Sequence, residues 1–285
     1  MLPWVLGPLA VIALLAVGFS ALVSRAYRTP QGPHDRTPAD LGLDFEPIRF
    51  PTAGGLSLHG WWIPGDGAAA PTVILVHGWS RSAERMLPFL RPLHRAGYHL
   101  LALDARCHGL SACDGNANML KFSEDIRAAV SEAIRRGADP GRLAVLGHSV
   151  GGAGTIHAAA NDRRIRAVVT VGAFAHPRDM TLLDLSRRHV PAPLARLILA
   201  SVERSVGVPL DEIAPENVIS RIEAPVLLVH GEEDEIVPVE HARRLARAAG
   251  PTARLLVLPA RGHSDCDEDP AFWPAVEEHL GAVLG

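Results

Sequence analysis

Between residues 72 and 259 the chain repeats one pattern, in which short apolar runs bounded by turn residues alternate with helical stretches: TVILVHG, YHLLALD, LAVLGHS, RAVVTVG, PVLLVHG and RLLVLP. Five of these runs are nearly uninterrupted Val, Leu, Ile and Ala, a composition that suits strands buried on both faces of a parallel sheet. Between them lie stretches such as FSEDIRAAVSEAIRRG (122–137), where Phe122, Ile126, Ala129, Val130, Ala133 and Ile134 line one helical face and Gly137 supplies the stop. Strand alternating with helix predicts a doubly wound, mostly parallel α/β sheet. The earlier pair IRF and LSLHGWWIP, joined through AGG, reads as an antiparallel hairpin at its edge. Residues 175–220 break the alternation with helical periodicity, several prolines and no strand-like run, which predicts an inserted helical cap over the C-terminal ends of the strands.

Ahead of this domain, residues 2–24 carry no charged side chain and are long enough to cross a bilayer as one helix. Trp4 and Tyr27 sit near the ends of the run, and no basic side chain precedes it as a cleaved signal peptide would require. The expectation is a retained single-pass anchor over 1–28, a Pro/Gly-rich linker over 29–42 and a globular domain over 43–285. Arg25, Arg28 and Arg36 follow the span, so the positive-inside rule puts the C-terminal bulk in the cytoplasm, on a cell membrane. A formal net charge of −3, without a basic stripe, gives no footprint for nucleic acid. Three scattered cysteines, with no C-x-x-C pair, suggest reduced thiols rather than a disulfide framework or a structural zinc.

LAVLGHSVGGAG (143–154) sets Ser149 among Gly147, Gly151, Gly152 and Gly154. A phosphate-cradling loop of the Walker type would need a lysine after its second glycine, and a dinucleotide fingerprint would need a third glycine where His157 stands. What fits is Gly-x-Ser-x-Gly between strand and helix, a sharp turn that lifts a serine oxygen out of the chain. Gly152 and Gly154 are then free to let the following helix pack closely on the sheet. A serine alcohol needs a base, and the base an orienting acid; on such a fold they follow in the order serine, carboxylate, histidine. GEEDEIVP puts Asp234 beyond one core strand, and RGHS puts His263 beyond the next. The backbone amides of Val150, opening the helix, and of Trp79, in the turn after TVILVHG, are the expected oxyanion donors.

With HGWS (77–80), DARCHGLS (104–111), GHSVGG (147–152), GEEDEIVP (231–238) and RGHS (261–264) in order, the chain resembles the α/β-hydrolase superfamily over about 45–284, in its serine-hydrolase branch with a short helical cap, similar to monoacylglycerol lipases, esterases and serine aminopeptidases. The resemblance implies a Ser149–His263–Asp234 triad, acyl transfer to water through an acyl-enzyme, and no metal or organic cofactor. In DARCHGLS, Cys107 stands where the family has glycine, and Asp104, Arg106 and His108 are expected to tie loops together. The resulting expectation is a membrane-anchored enzyme cleaving acyl or lipid-like carboxylic esters of small molecules, with a peptidase or thioesterase on the same triad, or an inactive anchored binding module, as the alternatives.

Overall fold

A computed structural model describes residue 15 and residues 17–285. Its core is an eight-stranded sheet in the order β1-β2-β4-β3-β5-β6-β7-β8. The strands are β1 (Glu46–Pro51), β2 (Ser57–Ile63), β3 (Thr72–Val76), β4 (His99–Asp104), β5 (Leu143–His148), β6 (Ala167–Val171), β7 (Val226–Gly231) and β8 (Ala253–Leu258). The β1–β2 hairpin joins β4 antiparallel, and every pairing from β4 onward is parallel. The apolar runs are therefore strands, and the early pair is the edge hairpin the sequence predicts.

Successive residues of β3 show why those runs cannot alternate with polar residues. Ile74 and Val76 face a core layer that holds Phe122 and Ile126 of α2 (Met119–Arg135) and Val150 and Ile156 of α3 (Val150–Ala159). Val73 and Leu75 face the opposite layer, with Phe89 of α1 (Leu87–Arg95) and Phe272 of α7 (Phe272–Leu284). Each fully buried aliphatic side chain contributes roughly 1.5–3 kcal/mol relative to exposure, so a polar residue on either face would cost stability. The cap leaves the sheet after β6 and returns at β7 through α4 (Pro177–Arg187), α5 (Ala192–Val206) and two single-turn helices, and α6 (Glu240–Ala249) joins β7 to β8.

Of the two regions ahead of the sheet, one lies largely outside the described residues and the other departs from the sequence reading. The expected membrane span lies largely outside the described residues; its last part is a helix over 17–26, and among the described residues no helix is long and apolar enough to cross a membrane. The 29–42 stretch, expected to be a linker, is tied to the domain: Gln31 pairs with Gly109, the Thr29 hydroxyl donates to the Cys107 carbonyl, and the His34 ring lies 4.6 Å from that of Trp61. Its composition hid this because the partners come from loops far along the chain.

The cysteine reading is corrected as well. Cys107 and Cys113 form a disulfide, with Cα atoms 4.2 Å apart, and Cys266 is the free, buried thiol. Six residues of separation looked like scatter, but the chain turns back on itself at Cys107, which takes the left-handed backbone (φ 63°) that the glycine of the resembling motif would supply.

Candidate active site

β5 ends at His148, and the chain must reverse at once to start α3. Ser149 makes that turn at φ 56°, ψ −121°, a conformation that costs an ordinary residue about 1–3 kcal/mol and persists only where the surroundings impose it. They do so here. A Cβ on Gly147 would lie 2.4 Å from the Gly151 carbonyl oxygen, and one on Gly151 would lie 2.4 Å from that of His77, so both positions must be glycine. Gly152 sits against Ala173 and Thr170 beside β6, as expected, whereas Gly154 faces Phe122 and so brings α3 against α2 rather than against the sheet.

At the same edge, the β7 loop carries Asp234 and the β8 loop carries His263, and the two are joined by a 2.7 Å hydrogen bond from the imidazole Nδ1 to the carboxylate Oδ2. The amides of Ile236 and Val237 donate to the other oxygen at 2.8 Å each, and His230 Nε2 lies 3.3 Å from Oδ2. Burial would raise the Asp234 pKa, but the His230 and His263 hydrogen bonds, the His263 charge and the Val237 amide together hold it well below the usual carboxylate range. The carboxylate thus stays ionised and fixes the Nδ1–H tautomer, leaving Nε2 as the basic nitrogen. Gly172 opens room for this pair: a Cβ there would stand 3.1 Å from His263 and 3.5 Å from Asp234. Among the described residues the Ser149 hydroxyl has no hydrogen-bond partner, as is common before substrate closes the serine–histidine contact.

The turn after β3 brings the second amide. Neither Trp79 nor Val150 spends its N–H on a backbone bond outside the helices and strands, and Val150 opens α3, where amides have no intrahelical acceptor. Ser80, next to Trp79, holds φ 54°, and its amide donates to His108 Nε2 at 3.2 Å, while His108 Nδ1 donates to the Arg106 carbonyl at 3.0 Å. Burial pushes the His108 imidazole down to about 3, which keeps Nε2 a neutral acceptor for Ser80. Asp104 and Arg106 tie loops as expected, Arg106 through a fork to the buried Asp125.

Two further histidines, which the sequence alone did not single out, also belong here. His148 donates from Nε2 to the His263 carbonyl at 2.7 Å, with the rings 4.8 Å apart, and so anchors the loop of the expected base; burial pushes it down to about 3. His230 braces Asp234 and donates to the Val237 carbonyl at 2.7 Å. The signal was their position, one residue before Ser149 and four before Asp234.

His34, His59 and Asp104 are the one group among the described residues whose donor atoms are close enough to share a cation, within 4.8 Å. The carboxylate is already met by both imidazoles and by the amides of Ala83 and Leu110, so the group serves as a hydrogen-bonded staple.

Family models described as serine aminopeptidase S33 and as TAP-like protein match residues 67–207 and 202–282. The Mycobacterium tuberculosis protein Rv2307c is 30% identical over 220 residues, 75% of this chain and 70% of its own. The chain belongs to the α/β-hydrolase superfamily. This hydrolase is also 27% identical to Escherichia coli YfhR over 79% of its length and 75% of that protein's. Among solved structures, the Pyrococcus furiosus esterase Pf2001 superposes with a TM-score of 0.72 at 25% identity, covering 90% of this chain and 100% of the esterase. A Mycobacterium tuberculosis puromycin-hydrolyzing peptidase shares the fold, with a TM-score of 0.66 at 20% identity over 85% of this chain and 40% of the peptidase.

Proposed function

We propose that this hydrolase is a membrane-anchored serine esterase, cleaving carboxylic esters with acyl or lipid-like chains through an acyl-enzyme on Ser149. The observation that carries the reading is the strained serine turn at the sheet edge that also holds the Asp234–His263 pair. In this mechanism Ser149 Oγ attacks the acyl carbonyl carbon while His263 Nε2 takes its proton. Asp234 stabilises the imidazolium, and the amides of Val150 and Trp79 receive the oxyanion, each worth roughly 3 kcal/mol. Collapse expels the alcohol with the proton from His263, and water, deprotonated by the same nitrogen, releases the acid. Ser149→Ala is expected to abolish both short-chain ester turnover and covalent labelling by a fluorophosphonate; a variant that still labels would overturn the assignment.

A peptidase or thioesterase on the same residues is the second reading, favoured by the serine aminopeptidase family model and by the resemblance to Bacillus subtilis YuxL, a peptidase 26% identical over 77% of this chain and 35% of its own. Matched ester, thioester and amide substrates separate the two.

The uncharged run over 2–24 supports the anchor. For its orientation, Arg25, Arg28 and Arg36 support a cytoplasmic domain, whereas the Cys107–Cys113 bond supports an oxidising compartment, where disulfides persist. We weigh the covalent bond above three arginines and place the catalytic domain on the oxidising side.

A further inference from the structure

Eight large apolar side chains are exposed among the described residues, and six of them lie on three helices: Leu15, Val17 and Leu22 at the N-terminus, Leu182 on α4, and Leu194 and Leu197 on α5. Single exposed leucines need no explanation, but six on helices that touch one another form a surface. The touching is specific. The N-terminal helix turns Val23 and Tyr27 inward, the Tyr27 hydroxyl reaches Asp184 on α4 at 3.4 Å, and Ser201 on α5 lies 3.3 Å from Ser20. Leu15, Val17 and Leu22, between 65% and 69% exposed, point away from the domain. Arg196 and Arg204 stand exposed on α5 and make no ion pair among the described residues, so the apolar face has a basic border. Next to it, a cleft of about 540 Å³ lined by Arg187, Asp234, Glu235, Ile236 and Pro238 opens beside the loop of the triad acid, with Ile236 at its rim 51% exposed.

We propose that the N-terminal helix, α4 and α5 together form a seat on the surface of an anionic lipid bilayer, with Leu182, Leu194 and Leu197 in the interfacial layer and the cleft beside Asp234 facing the lipids. The proposal rests on the anchor reading in one respect: the uncharged run over 2–24 includes Leu15, Val17 and Leu22, which face away from the cap, so a bilayer that holds this run lies against the same face. An apolar stripe bordered by arginines is the chemistry that an interfacial, anionic lipid surface recognises.

The test uses the full chain in vesicles of phosphatidylcholine and phosphatidylglycerol. Cys107 and Cys113 are bonded and the buried Cys266 thiol is pushed up to about 12, so a single introduced cysteine is labelled selectively. With an environment-sensitive fluorophore at Leu197→Cys, lipid-attached quenchers are expected to extinguish most of the emission. At Arg95→Cys, on the exposed end of α1 at the opposite edge of the sheet, they are expected to have no effect. Equal, negligible quenching at both positions would overturn the seat. Extraction of the unlabelled protein by alkaline carbonate decides the anchor separately: release with Leu197 still quenched leaves the seat standing without an anchor, while retention with Leu197 unquenched leaves the anchor and removes the seat. As a functional counterpart, the exposed pair Leu194→Ser/Leu197→Ser should lower turnover of a vesicle-borne ester about tenfold, by loss of interfacial burial, with a soluble short-chain ester unaffected. An equal loss on both substrates would count against the seat.

Discussion

Asp104 ends β4 and Asp234 follows β7 at the same edge of the sheet, with three strands between them, and the two are built alike. Each is fully buried at its carboxylate, each accepts two backbone amides, and each lies against two imidazoles: His34 and His59 for Asp104, His230 and His263 for Asp234. Burial would raise both, and both are held well below the usual range by the imidazole and amide hydrogen bonds. Their consequences diverge because of what stands beyond the imidazole. Beyond His59 and His34 there is the Trp61 ring, so Asp104 pins the chain ahead of the sheet; beyond His263 there is the Ser149 turn. A carboxylate–imidazole pair is thus not a catalytic site by itself, and in the function proposed above it is the strained serine that sets Asp234 apart from Asp104.

The comparison breaks if the two aspartates are interchangeable in their effects. Asp234→Asn keeps the shape but lets the imidazole adopt the wrong tautomer, and steady-state kinetics should show a fall in kcat of roughly 10⁴-fold with little loss of stability. Asp104→Asn should do the opposite. It leaves buried donors facing an amide, at a cost of about 3 kcal/mol in a urea denaturation midpoint, with the kcat of the folded fraction within a few-fold of the parent. Comparable kcat losses in both would mean that the staple reaches the chemistry.

The sheet and the Ser149 turn were legible because each rests on local sequence: a strand buried on both faces must be apolar throughout, and so sharp a turn must carry glycine at 147 and 151. Asp234 and His263 were legible for the same reason, each lying just past a recognisable strand. The staple was not, since His34, His59 and Asp104 come from three segments and meet only once β2 pairs with β4, which sets His59 opposite Asp104. Nor was the docking of the N-terminal helix on the cap, which depends on tertiary contacts between residues more than 150 positions apart.

Protons sharpen the comparison next. The two aspartates have depressed folded pKa values, so their stabilisation is fully present above about pH 4, where an unfolded aspartate is ionised, and is lost only as pH falls below that. His108 is buried and neutral, pushed from 6.5 down to about 3. In the unfolded chain it takes up a proton as pH falls through 6.5, while the folded chain does not, so its contribution is lost progressively from about pH 6.5 downward. A loss of about 1.4 kcal/mol per pH unit is expected between pH 6 and 5 from this group, and His108→Gln should reduce the slope of stability against pH by about that amount, leaving the share of the buried His148 and the acid limb below pH 4 in place. An unchanged slope would show that His108 titrates normally.

The smallest effect concerns the loop that Asp104 opens. Closing Cys107 to Cys113 restricts only a short loop, so the bond contributes about 2 kcal/mol through the unfolded chain, against which Cys107 pays about 1 kcal/mol for its left-handed backbone. Cys107→Gly/Cys113→Ser removes both, and the net destabilisation should be about 1 kcal/mol with ester turnover unchanged, because neither sulfur touches the Asp234–His263 pair. A tenfold loss of kcat would instead make the bond a support for the His108–Ser80 turn. The same pair reports the side of the membrane: in intact cells it should resist a thiol-alkylating reagent until reduced, and rapid alkylation without reductant would return the catalytic domain to the cytoplasmic side that Arg25, Arg28 and Arg36 suggest.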